Sequence, residues 1–201
     1  MATGDIIKNA IAEGAKELIR ENGIEEITVT QICDKVGINR RNFYRYFRDK
    51  FEVVDWIYYH DALISNSPHY EGWSIFDYMQ RIMESLYADP KYYLNVLKYQ
   101  GQNSFREYST ANLRRLIEAD YAKIFPEPEL LDLFVTSLCD LTYDVCIWWL
   151  SQEPIYSPVE ITAIYKSFLV RSSQQTANLL VRSIRTDAKK IDFKPPEPGA
   201  R

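Results

Sequence analysis

The residues best suited to chemistry lie between Thr28 and Lys50, in the run TVTQICDKVGINRRNFYRYFRDK. Thr28 can cap a helix, and Gln31, three residues on, completes a reciprocal capping box. Val29, Ile32 and Val36 then recur at helical spacing as a stripe for packing inward. Gly37 follows where the chain must turn, because glycine enters left-handed backbone space without steric cost. Ile38 returns to the core, Asn39 can cap a second helix, and Phe43 and Phe47 supply that helix with a buried side. Its outer side is left to Arg40, Arg41, Asn42, Tyr44, Arg45 and Tyr46. Such a face suits an anion bordered by hydrogen-bonding edges, and the spacing predicts a helix-turn-helix directed at a DNA major groove.

Each residue type carries a definite expectation. Arginine can pair both acceptors of guanine and asparagine can pair adenine, so Arg40, Arg41 and Asn42 are the candidate base readers. Tyr44, Tyr46 and Lys50 are candidates for phosphate contacts that set register. Thr28 and Thr30 lie where a helix N-terminus could meet the backbone, and Asn39 and Arg45 complete the candidate DNA-binding set.

At these residues the chain resembles the TetR family of bacterial one-component transcriptional regulators. The resemblance rests on Leu18-Ile19, Gly23, Thr28-Val29, Ile32-Cys33, Val36-Gly37-Ile38-Asn39, Phe43-Tyr44-Arg45-Tyr46-Phe47 and Asp49-Lys50. It covers about the first quarter of the chain. Cys33 and Val36 stand where that family usually has alanines, Arg41 where glycine is common, and Asn42 where threonine is common. The first two are packing variations, whereas the last two alter the groove-facing side. The resemblance implies a homodimer on a palindromic DNA operator, a small-molecule effector, and a repressor released by that effector. A regulatory co-activator or adaptor of the same fold, acting through a protein partner, is the alternative. The C-terminal half loosely resembles the variant domain of dihydroxyacetone-kinase-type regulators.

Composition bounds what must position this surface. The 201 residues are 46% hydrophobic and 26% charged, enough for a core in a water-soluble chain. The net charge of −4 is unevenly spread: Lys35 to Lys50 sums to +5, leaving −9 elsewhere. A basic patch on an acidic body is the footprint relevant to nucleic acid. No run is apolar enough for a signal peptide or membrane span, so a cytoplasmic protein is expected. Cys33, Cys139 and Cys146 have no metal spacing and read as reduced core thiols. Neither a phosphate loop nor a nucleophile elbow occurs, and neither an enzyme, a cofactor nor a metal is expected.

Beyond Lys50 the periodicity stays helical, and the whole chain is expected to be all-α with about nine helices. A three-helix helix-turn-helix domain is expected over 1–48, a helical ligand-binding and dimerisation domain over 49–190, and an unstructured tail over 191–201. The fourth helix should run to about Ser65. Fifteen tyrosines, nine phenylalanines and four tryptophans suggest an aromatic pocket. Trp56, Tyr59, Tyr93, Tyr99, Phe105, Tyr108 and Trp148 are its candidate lining, with Gln100 and Asn103 as polar anchors. The last two helices are apolar on more than one side, which calls for a partner subunit and a four-helix bundle. Candidate interface residues are Leu131, Phe134, Leu138, Leu141, Val145, Ile161, Ile164, Phe168, Ser172 and Thr176. Asp132, Asp140 and Asp144 form a polar line on the first of these helices, read as salt-bridging or solvated charge rather than acid–base chemistry.

Overall fold

Local signals start and stop most of the helices. The computed structural model describes residues 3–63, 74–153 and 155–187. Among the described residues it contains nine α-helices and no strand. They are α1 (Thr3–Asn22), α2 (Val29–Val36), α3 (Arg40–Phe43), α4 (Lys50–Tyr58), α5 (Ile75–Ala88), α6 (Pro90–Leu97), α7 (Phe105–Tyr121), α8 (Pro128–Leu150) and α9 (Pro158–Asp187). A π-helical turn, Tyr59–Leu63, extends α4. The expected end of that helix near Ser65 and the tail over 191–201 lie outside the described residues.

The caps are those that the sequence implies. Thr28 Oγ1 accepts from Gln31 N–H at 3.2 Å, while Gln31 Oε1 accepts from Thr28 N–H at 2.7 Å. Gly37 closes α2 in the left-handed region, with φ 70°. Asn39 accepts from Asn42 N–H at 2.8 Å, and Asp49 caps α4 by accepting from Phe51 and Glu52. Pro90 opens α6 where a missing N–H costs nothing.

Helix α1 packs on α2, α4 and α6. Its buried stripe, Ile11, Ala12, Ala15 and Ile19, joins Ile32, Phe43, Phe47, Val53 and Ile57 in the core. Polar ties reinforce that seating: Lys16 Nζ donates to Asp61 at 2.9 Å, Arg20 Nε donates to Asp89 at 2.8 Å, and Asn95 donates to the Ile19 carbonyl at 2.8 Å. At Gly14, α1 lies against the side chain of Val36 on α2. A β-carbon there would intrude on Val36 Cγ1, so the valine that replaces a customary alanine is accommodated by glycine opposite.

Helices α7 and α8 pair closely. The polar line on α8 is spent within the chain: Arg106 bridges Asp140 and Asp144, and Arg114 bridges Asp132 and Glu118. Residues through Ile161 form one compact unit, inside which the expected 48/49 boundary falls. The second compact unit starts at Thr162, within α9. On that segment Phe168, Val170, Leu179, Leu180 and Val181 are all exposed. No helix among the described residues is long and apolar enough to cross a membrane.

Candidate nucleic-acid interface

The interface is built from the turn between α2 and α3 outward. Asn39 fixes the start of α3, and fully buried Phe43 anchors its inner side. Regular α-helix ends at Phe43, earlier than the expected Phe47. From there the chain tightens through i to i+3 bonds, Arg45 N–H to Asn42 O and Tyr46 N–H to Phe43 O, at 3.2 and 2.9 Å. The tightening buries Phe47 as well as Phe43 and leaves room for Asp49 to begin α4.

Outward from this anchor, Thr28, Thr30, Asn39, Arg40, Arg41, Tyr44 and Arg45 are exposed, and Asn42 and Tyr46 are half-buried. The local positive charge is not all available. Lys35 pairs with Glu17 at 2.6 Å, and Arg48 pairs with Glu52 at 3.2 Å. Arg40, Arg41 and Arg45 make no ion pair among the described residues. Arg40 instead donates through Nη2 to the Tyr44 hydroxyl at 3.1 Å, its guanidinium lying 5.7 Å from the Tyr44 ring centre. That hydrogen bond raises the Arg40 pKa, so the residue stays cationic.

Lys50 requires a correction. It was expected at a phosphate, but its ammonium donates to the carbonyls of Ile24, Glu25 and Ile27 at 2.6, 3.0 and 2.8 Å. An ammonium has three N–H groups, so all are committed. Burial lowers its pKa without an acid alongside to compensate fully. Lys50 therefore pins the α1–α2 connection to the start of α4. No local pattern reveals this, because the three carbonyls lie more than twenty residues upstream.

The candidate ligand residues do not converge. Phe105 alone among them lines the apolar cavity between α4, α5, α6, α7 and α8, a space of about 40 Å³. Its walls include Tyr58, Leu86, Leu97, Leu113, Cys139, Thr142, Tyr143 and Cys146. Sequence reasoning missed most of these, although several sit at inward helical spacing. Trp56 packs edge-on against Phe47, Tyr59 is exposed, and Tyr93 donates to Asp61 at 2.9 Å. Tyr99 stacks on Phe51, with Gln100 beside it in a surface depression. Asn103 and Tyr108 line another depression with Asp55, and Trp148 is exposed and stacked on Tyr156. The cavity's polar groups turn to backbone: Tyr143 donates to Leu97 O at 2.9 Å and Thr142 to Leu138 O at 2.7 Å. Burial pushes the thiols of Cys139 and Cys146 up to about 11 and about 12, so neither is a ready thiolate. Among the described residues no cluster of His, Cys, Asp and Glu could hold a metal.

Of the candidate interface residues, Leu138 and Ile161 are buried, and Leu131, Phe134, Leu141 and Val145 are half-buried. Ile164, Phe168, Ser172 and Thr176 are exposed. On α8 the large exposed apolar side chains are Leu130, Leu133 and Trp148, which the sequence reading did not single out for an interface.

Taken together, the capped turn, the buried phenylalanines and the three unneutralised arginines define an all-α helix-turn-helix protein. Residues 11–55 match the family described as bacterial regulatory proteins, tetR family. Its members are regulators, not enzymes. The chain is similar to the HTH-type dhaKLM operon transcriptional activator DhaS of Lactococcus lactis subsp. lactis (strain IL1403), with 34% identity over 70 residues. That alignment spans 34% of this chain and 37% of the relative's length. Among solved structures, a dihydroxyacetone kinase operon activator DhaS superposes with TM-score 0.54 and 18% identity, covering 90% of this chain and 98% of that one. NalD of Pseudomonas aeruginosa, the secondary repressor of the MexAB-OprM multidrug efflux pump, superposes with TM-score 0.60 and 16% identity over 83% of this chain and 96% of that one. A TetR transcriptional regulator from Streptococcus agalactiae 2603V gives TM-score 0.61, 16% identity, and coverage of 82% and 94%. At such identities these superpositions speak to the fold.

Proposed function

We propose that the chain is a cytoplasmic, DNA-binding transcriptional regulator that acts as a homodimer, with α3 entering the major groove. The observation that carries this reading is the exposed trio Arg40, Arg41 and Arg45, left unneutralised on a turn anchored to the core. In this reading Asn42 adds a base reader, and Thr30 and Tyr46 are assigned to phosphate contacts. Thr28 serves chiefly as a cap, since its hydroxyl is engaged with Gln31. Exposed apolar side chains on α8 and on α9 support a partner subunit. A two-fold dimer would present its heads to a palindromic operator, with half-sites roughly 34–36 Å apart or a multiple of that.

In the leading form of this reading the protein is a repressor released when a small molecule enters the body. The ligand must bind the two head spacings with different affinity. A space of about 40 Å³ is water-sized, so a larger effector would enter only if the helices around it move apart. The second reading, a co-activator or adaptor working through a protein partner, is favoured by that small cavity and by the similarity to an operon activator.

Selection from a randomised duplex library tests the reading. Bound duplexes should share a palindromic sequence, and affinity should fall steeply with salt as phosphates are neutralised and counterions released. Arg41→Ala should weaken binding about tenfold or more. Failure to retain any duplex at low salt would overturn DNA binding and leave the adaptor reading, which predicts a stoichiometric protein complex instead.

A further inference from the structure

We infer that Tyr44 is a positioning residue for Arg40, and that the pair specifies a guanine in the recognition sequence. The inference rests on the DNA-binding reading above and gives Tyr44 a role other than the phosphate contact expected from its place in the motif.

Arg40 is the first residue of α3 and Tyr44 follows one turn later, so their side chains share a face. The Tyr44 hydroxyl accepts from Arg40 Nη2 at 3.1 Å, and the guanidinium lies 5.7 Å from the ring centre. The ring is itself indexed to the core, standing edge-on to fully buried Phe43 with centroids 5.5 Å apart and planes at 88°. A chain of contacts therefore runs from the core through the phenol to the guanidinium. Without it, a free arginine would surrender substantial rotamer entropy on docking.

The chemistry of the partner matters as much as its position. Lys35 and Arg48 are held by carboxylates, which orient a cation and cancel its charge together. A phenol orients Arg40 and leaves its charge whole. The hydrogen bond uses one of five guanidinium N–H groups, so two parallel donors remain for O6 and N7 of guanine. Adenine offers an acceptor and a donor at those positions, and a fixed guanidinium fork reads the difference.

The two roles for Tyr44 predict different data. Duplexes selected by the wild-type protein are remade with each guanine replaced by adenine. Affinities are then measured for wild type, Tyr44→Phe, Arg40→Ala and the double variant across a salt series. If Tyr44 positions Arg40, Tyr44→Phe loses about 3- to 10-fold in discrimination at one guanine. Its salt slope is unchanged, and the substitution does nothing further in the Arg40→Ala background. If it is a phosphate contact, Tyr44→Phe weakens every duplex alike, guanine-substituted or not, and does so equally in the Arg40→Ala background, which overturns the inference while DNA binding stands. A selected site in which no guanine depends on Arg40 overturns it equally. A wild-type protein that retains no duplex removes the underlying reading as well. Tyr44 is about half exposed, with relative exposure of 49%, so loss of one hydroxyl leaves the fold intact.

Discussion

The head, α1 to α3, and the body, α5 to α8, spend their polar side chains in opposite ways. In the head, Thr28, Gln31 and Asn39 satisfy helix ends, and three arginines remain unneutralised at the surface. In the body, Arg106 and Arg114 are neutralised across α7 and α8, and the cavity's hydroxyls bond to backbone. A surface with uncommitted cations can bind an anion as it stands. A body whose α7–α8 charges are paired and whose cavity threonine and tyrosine bond to backbone must rearrange before that cavity binds anything large. The head is thus preorganised for contact, and the body for holding that head in place.

The sharpest challenge to this contrast is Lys50, a cation at the start of α4, bound to the α1–α2 connection of the head, that is committed after all. Lys50→Met keeps the apolar stem but strands three carbonyls that share one ammonium. Hydrogen bonds to a charged donor contribute more than neutral ones, and the expected loss of stability is about 3 kcal/mol by urea unfolding. Were the salt slope of DNA binding to drop by about one with stability unchanged, Lys50 would belong with the phosphate contacts instead.

A smaller effect is expected where α1 meets α2. Gly14→Ala drives a methyl into Val36 Cγ1 and should cost about 2 kcal/mol through overpacking. Combining it with Val36→Ala should restore most of that loss, because the two changes return the usual small residue opposite the new methyl. A double variant no better than the single one would show that Gly14 is required for some other reason.

This pair also marks how far the sequence is legible. Caps and turns are local, so Thr28 with Gln31, Gly37, Asn39, Asp49 and Pro90 could be placed from neighbouring residues alone. The tolerance of Val36 could not, since it depends on a glycine twenty-two positions earlier. The fate of Lys50 was hidden for the same reason. In the body the difficulty is periodicity itself. Helix α8 is apolar nearly all round, so spacing does not say which aromatic faces inward. Trp149 is fully buried and neighbouring Trp148 is half exposed. Counting aromatics suggested a pocket, whereas only Tyr58, Phe105 and Tyr143 are aromatic in the cavity wall, the rest being aliphatic, thiol-bearing and small hydroxyl side chains.

The smallest expected effect lies where the two regions meet, at Asp55 on α4 beside α7. Burial pushes its carboxyl up to about 6, with the charges of Asp49 and Glu52 adding to the rise and Arg48 opposing it. Glu107 and Tyr108 of α7 border the same depression. An unfolded aspartate titrates near 3.9, so the folded state holds the proton more tightly. Asp55 therefore favours folding fully below about pH 4, and that contribution is lost as pH rises through about 6. At pH 7 the folded chain carries a carboxylate that its surroundings disfavour. Asp55→Asn should then raise stability by about 1 kcal/mol at pH 7, a figure reduced because the group is only half-buried. It should raise it not at all at pH 4. Equal gains at both pH values would mean that packing, not ionisation, sets the cost at this junction.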